Sequence, residues 1–249
     1  MLLQGRIAVI TGASRGIGAA TARKLAAHGA AVAVNYCQSG AAANAVVAEI
    51  QSGGGRAVAI QADVRDPDQA AALVARAESL LGPVDTLVLN ANMSFPMAPF
   101  TEMPWEGFQN KLLGELGSAF HACKAAVPGM VQRRRGCIIA VTSGLSRQPG
   151  DGFSAHTTAK SGLDGFVKAL AHELGPQGIR VNLVAPGLTE TDATAFIPAP
   201  AKAAAGSHLP LRRIALPDDI AGIIALVAAD EAGYLTGQYL SAGGGGLML

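Results

Sequence analysis

The chain has 249 residues, half of them hydrophobic, with 19 basic and 18 acidic side chains and a formal net charge of +1. That length suits one large α/β domain with ample apolar side chain for a core. The balanced charge argues against a nucleic-acid or membrane-surface partner, and the three cysteines, Cys37, Cys123 and Cys137, fit neither a zinc pattern nor a disulfide framework.

Short β-branched runs alternate with Ala- and Leu-rich stretches along the whole chain. Residues 7–10 read as a strand and 17–28 as a helix; 31–34 and 41–51 repeat the pair, as do 58–61 and 68–81. A strand at 86–89 precedes a long helix at 105–132. The basic run Arg133-Arg134-Arg135 follows that helix and reads as its solvated end, where cations suit the helix dipole. A strand at 137–141, a helix at 154–174 and a strand at 180–184 come next. Residues 186–210 read as a looser region, followed by a helix at 218–229 and a last strand at 238–240.

Strands alternating with helices imply one α/β domain over 1–249, a Rossmann-type doubly wound parallel sheet with helices on both faces. The strand runs are apolar on consecutive positions, as two covered sheet faces require. No apolar run reaches the roughly 18 residues of a membrane span. The N-terminal MLLQGRIAVITG enters a strand at once, with no leader pattern. A cytoplasmic protein is the expectation.

The first strand ends in Thr11-Gly12-Ala13-Ser14-Arg15-Gly16-Ile17-Gly18 and a helix follows. Glycines there let the backbone turn and approach a pyrophosphate, and the helix N-terminus offers free N–H groups to it. The G-x-x-x-G-x-G spacing departs from the usual G-x-G-x-x-G dinucleotide fingerprint.

The segment TGASRGIG resembles the signature of the short-chain dehydrogenase/reductases, and the resemblance runs the length of the chain. Asp63-Val64 is similar to that family's adenine-contacting position, and Asn90-Ala91 to part of its NNAG strand end. Arg180-Val181-Asn182 and Pro186-Gly187 are similar to its sixth strand and the loop beyond. Leu235-Thr236-Gly237-Gln238 resembles the C-terminal segment of the 3-oxoacyl-acyl-carrier-protein reductases. The resemblance implies a nicotinamide cofactor held by Gly12, Ser14, Arg15, Gly16, Ile17, Gly18, Asn35, Asp63, Val64, Asn90, Ala91, Lys160, Pro186 and Gly187, with no metal. NAD sites place an acid at the end of the second strand. This chain has Asn35-Tyr36 there, and Arg15 can meet a 2′-phosphate, so NADP(H) is expected.

The family resemblance also implies a proton relay of Ser, Tyr and Lys with an Asn on the long fourth helix. Ser143 and Lys160 fit. The Tyr slot, four residues before Lys160 and on the same helix face, holds His156. Glu115 stands at the Asn position, Asn92 replaces the small last residue of the strand end and adds bulk near the nicotinamide ribose, and Gly243 stands where an Asp or Asn is usual. A Tyr beside a Lys is drawn from about 10 towards neutrality, whereas a His starts near about 6.5 and is pushed lower. His156 is then mostly neutral at pH 7 and suits general-base work better than carbonyl protonation; Glu115, if close, would oppose this by favouring imidazolium, and a Glu115–His156–Lys160 cluster would then still deliver a proton.

The reading is an atypical NADP(H)-dependent ketoreductase acting on a ketone or a β-ketoacyl or polyketide-like substrate, in fatty-acid or polyketide biosynthesis. The alternatives are an acid/base isomerase, dehydratase or cyclase without hydride transfer, and a non-catalytic partner of an active relative. Residues 188–210 resemble the family's substrate lid, and Phe196-Ile197 suggest an apolar substrate. The resemblance further implies a homodimer or homotetramer, or a hetero-oligomer with an active family member.

Overall fold

A computed structural model describes residues 1–248. Seven parallel strands form one sheet in the order β3-β2-β1-β4-β5-β6-β7. They are β1 (Ile7–Ile10), β2 (Ala31–Tyr36), β3 (Arg56–Gln61), β4 (Thr86–Leu89), β5 (Gly136–Val141), β6 (Ile179–Pro186) and β7 (Tyr239–Ala242). The helices are α1 (Gly16–Ala27), α2 (Gly40–Ser52), α3 (Pro67–Leu81), α4 (Trp105–Arg133), α5 (Ser154–Leu174), α6 (Ala199–Ser207) and α7 (Pro217–Ala228).

The strand alternation distributes side chains to two cores. Ala8 and Ile10 of β1 and Val32 and Val34 of β2 join α1, α2 and α7 on one face. Ile7 and Val9, with Ala31 and Ala33, join α3, α4 and α5 on the other. Side chains of successive strand residues point to opposite faces, so both parities must be apolar when both faces are covered.

The structure differs from the sequence reading in residues 186–210, where the nine-residue helix α6 lies. Its prolines mask it in the sequence. Pro198 is the N-cap and Pro200 sits in the first turn, where a missing N–H costs no helical hydrogen bond. The Ala-rich run behind them has high intrinsic helix propensity. The arginine cluster does close α4, with Arg134 as a left-handed C-cap at φ 50° and its guanidinium donating to the Pro176 carbonyl. No helix among the described residues is long and apolar enough to cross a membrane.

Candidate active site

The strand order reverses between β1 and β4, and in open parallel sheets ligands settle in the crevice at such a switch point. The glycine loop leaves β1 on one side of that crevice, and Asn90-Ala91 leave β4 on the other. Three polar side chains shape the loop. The Thr11 hydroxyl accepts from the Asn90 and Ala91 N–H groups at 2.9 and 3.0 Å. The Asn90 amide donates to the Thr11 and Gly12 carbonyls at 2.9 and 3.0 Å. Asn35 Oδ1 accepts from the Gly12 N–H at 3.1 Å, while its amide nitrogen donates to Ala62 O at 3.0 Å. Gly12 has φ +62°, and a Cβ there would stand 2.9 Å from the Ala91 Cα, so the turn requires glycine.

The loop fits a dinucleotide phosphate. The α1 N-cap, Arg15, makes no side-chain capping bond, and the first turn holds no acid. The first N–H groups of this twelve-residue helix therefore remain available to an anion. Ser14, Gly16 and Ile17 are partly exposed at this end, Gly18 is buried, and the Arg15 side chain is exposed. Asn35 occupies a place that differs from its expected one. It is 2% exposed, and its side chain is turned into the sheet end, where it holds the loop. Past β3, Asp63 is paired with Arg65 at 2.5 Å and Val64 is buried. Pro186 ends β6. At Gly187 a Cβ would fall 2.9 Å from Gly243 Cα, so this close approach of two chain segments requires glycine at 187, whereas a Cβ on Gly243 would meet only ordinary contacts at 3.8 Å.

The second half of the site lies between α4 and α5. Glu115 and Lys160 are brought together as expected, and a third group joins them that the sequence reading did not single out. Lys111, fully buried on α4, donates to Glu115 Oε2 at 2.6 Å, and Lys160 donates to Glu115 Oε1 at 2.6 Å. Lys160 also donates to Val141 O at 2.8 Å, and Lys111 to Asn92 Oδ1 at 2.6 Å and Met93 O at 3.0 Å. The only sequence signal for Lys111 is its i,i+4 spacing from Glu115. Asn92 is exposed, and its side chain is tied to Lys111.

Electrostatics follow from this geometry. Burial alone would raise the Glu115 carboxyl, but the Lys160 and Lys111 ammonium groups outweigh it and hold it at about 2. Lys111 is lowered to about 8 by burial, with Glu115 opposing. His156 is lowered to about 3, by burial first and then by Lys160 and Lys111, with Glu115 opposing. Glu115 is committed to two lysines, so its pull towards imidazolium is outweighed, and burial with the two ammonium groups favours the neutral His156 ring, the direction that the Lys160 neighbour implies in the sequence.

The His156 ring stacks on Phe95 at 4.8 Å, with Phe153 edge-on at 6.3 Å, and its Nδ1 has no partner among the described residues. Ser143 follows β5, and its Oγ accepts from the Leu145 N–H at 3.2 Å, which leaves its own O–H free to donate. Tyr239 approaches from β7, where its hydroxyl donates to the Ser143 carbonyl at 2.9 Å and burial raises its pKa. It ties β7 to the Ser143 backbone.

Residues 188–210 border an open groove of about 700 Å³ lined by Glu190, Ile197, Lys202, Arg212 and Ile214 among others. Its wall is mixed, with cations beside the apolar residues expected there, and Phe196 is exposed.

The family profile described as enoyl-(acyl carrier protein) reductase matches residues 12–246. A 3-oxoacyl-[acyl-carrier-protein] reductase of Synechocystis is 39% identical over 99% of this chain and 98% of its own. An L-rhamnose 1-dehydrogenase (NAD(P)(+)) of Sphingomonas is 38% identical over 98% of this chain and 97% of its own. A Burkholderia cenocepacia short chain dehydrogenase solved in complex with NADP superposes with TM-score 0.89 at 37% identity, covering 98% of this chain and 99% of that one. With a phosphate-ready glycine loop at the switch point and likeness over nearly its whole length, the chain belongs to the short-chain dehydrogenase/reductase family of oxidoreductases.

Proposed function

We propose that this chain is an NADP(H)-dependent ketone reductase in which a neutral His156 stands in for the usual phenol. The observation that carries the reading is the buried Lys111–Glu115–Lys160 cluster: both ammonium groups share one carboxylate, and Lys160 keeps one N–H uncommitted. Unpaired buried charge is strongly destabilising, so a site left to decay tends to lose such groups.

When bound, the reduced nicotinamide supplies a hydride to the carbonyl carbon. The carbonyl oxygen then takes up one proton and the product is the alcohol. Ser143 O–H and a His156 ring N–H are suited to donate hydrogen bonds to that oxygen as its negative charge develops. A neutral imidazole polarises a carbonyl in this way without acting as a strong acid, and the proton it gives up is replaced from solvent. The free Lys160 N–H is suited to a ribose hydroxyl. Arg15, with no acid at the end of β2, favours a 2′-phosphate and hence NADP(H).

The substrate class is a ketone, including β-ketoacyl thioesters, as the likeness to the Synechocystis 3-oxoacyl-[acyl-carrier-protein] reductase suggests. Leu113 and Phe120, exposed on α4, support assembly into a homo-oligomer, which light scattering tests.

The test follows NADPH oxidation with a panel of ketones and β-ketoacyl thioesters, using wild type and His156→Phe. The variant keeps the stack on Phe95 and loses the donor. Its turnover is expected to fall about 10²- to 10⁴-fold with little change in Tm. Wild type that consumes no NADPH with any substrate overturns the reading.

A further inference from the structure

The Lys111 ammonium has three N–H bonds, and three acceptors meet it: Asn92 Oδ1, Met93 O and Glu115 Oε2, at 2.6, 3.0 and 2.6 Å. All its donors are committed and its side chain is fully buried, so it has no contact to offer a substrate. Its nitrogen also lies 5.2 Å from the centroid of the Phe95 ring, the ring that stacks on His156. One group thus joins the segment after β4, the carboxylate on α4 and the aromatic cover of His156.

We propose that Lys111 is a positioning residue of the active site: it tethers residues 92–95 and Glu115 so that Phe95 lies on the His156 ring and Lys160 keeps its net positive influence. The assignment deepens the reductase reading and rests on it only for the chemical purpose of the site.

Charge counting supports the tether. Two lysines and one carboxylate carry a net charge of +1, the same as Lys160 alone. Lys111 and Glu115 therefore enter the site as a neutral pair. A Glu at position 115 without Lys111 would pair with Lys160 alone, and the net charge beside His156 would fall from +1 to zero. The charged groups facing His156 are Lys160 on its own helix and Lys111 and Glu115 from α4; Phe95 and Phe153 complete its surroundings and do not titrate. The same pair explains how Asn92 is accommodated, since the lysine that balances Glu115 also fixes the Asn92 side chain.

The test compares the full-length wild type with K111M and K111M/E115Q by amide hydrogen exchange and by NMR titration of the His156 ring. Loss of the tether predicts exchange at residues 92–95 about tenfold faster in both variants. Loss of net charge predicts an upward move of the His156 midpoint by about half a pH unit or more in K111M only, because the double variant again carries +1. Should K111M fail to fold, the double variant, which contains no unpaired carboxylate, decides the tether by exchange. Unchanged exchange at residues 92–95 in a folded variant overturns the tether, and an unmoved His156 midpoint in K111M overturns the charge role. Turnover measured alongside separates the two readings. If no ketone is reduced even by wild type, the reductase reading fails while exchange and titration still decide on Lys111.

Discussion

Glu115→Gln isolates the charge that holds the site together. The carboxylate is 2% exposed and bridges two ammonium groups at 2.6 Å each. Its displacement from 4.5 to about 2 corresponds to about 3 kcal/mol in favour of the ionised form in the folded chain. The amide keeps the shape and one acceptor but leaves Lys111 and Lys160 buried side by side. Removing one partner of a buried pair costs about 3–5 kcal/mol. For a chain of this size, with about 2–4 °C per kcal/mol, the expected loss is about 6–20 °C in Tm at pH 7. The deficit should shrink at pH 9. Lys111 is lowered to about 8, so at pH 9 it is mostly neutral in the wild type as well, and its attraction to Glu115 has already faded. Differential scanning calorimetry at both pH values, with K111M/E115Q as the charge-balanced control, measures this. A Tm within about 2 °C of wild type at pH 7 would refute the view that this carboxylate holds two buried cations.

Acid should unfold the chain through two groups that act in the same direction. His156, lowered from 6.5 to about 3, contributes stability present above pH 6.5 and lost as pH falls towards 3. Glu115, lowered from 4.5 to about 2, contributes stability present above 4.5 and lost on the way to 2. Urea titrations should show His156→Phe with a shallower loss of stability between pH 6.5 and 4, by about 1.4 kcal/mol per pH unit. Arg15→Ala should weaken NADPH binding about 10- to 100-fold and leave NADH binding nearly unchanged, as read by cofactor fluorescence; equal losses for both would mean that Arg15 does not meet the 2′-phosphate. Gly187→Ala forces a Cβ to within 2.9 Å of the Gly243 backbone and should lower stability by about 1–3 kcal/mol in urea.

Much of this architecture is legible in the sequence because local and tertiary demands coincide. The runs ending at Ile10, Leu89 and Val141 are apolar at both parities, and only a strand covered on both faces needs that. Ser143, His156 and Lys160 are picked out by the family resemblance, and helix spacing adds only that His156 and Lys160 share a face of α5. Other features escape because their signal is not local. α6 is masked by two prolines that mark its start. Lys111 is hidden by its residue type, since a lysine is among the side chains least expected in a core, and only three acceptors from two segments make its burial tolerable. Phe95 carries no periodic signal, as it sits in the irregular segment after β4. The direction of the His156 shift is readable from Lys160 alone, but the state of Glu115 depends on Lys111, whose partnership only the fold reveals.

Thr11, Asn35 and Asn90 bind the glycine loop from three strand ends by hydrogen bonds within the protein itself. The loop thus has its phosphate-receiving shape fixed by residues that need no ligand to set it. A dinucleotide meeting such a surface does not have to order it, and the entropy that a floppy loop would forfeit on binding is already lost in folding. Affinity is then governed by how well the cofactor matches a fixed outline. Substitutions at Asn35 or Asn90 should therefore weaken cofactor binding through disorder, with neither side chain needing to touch the ligand.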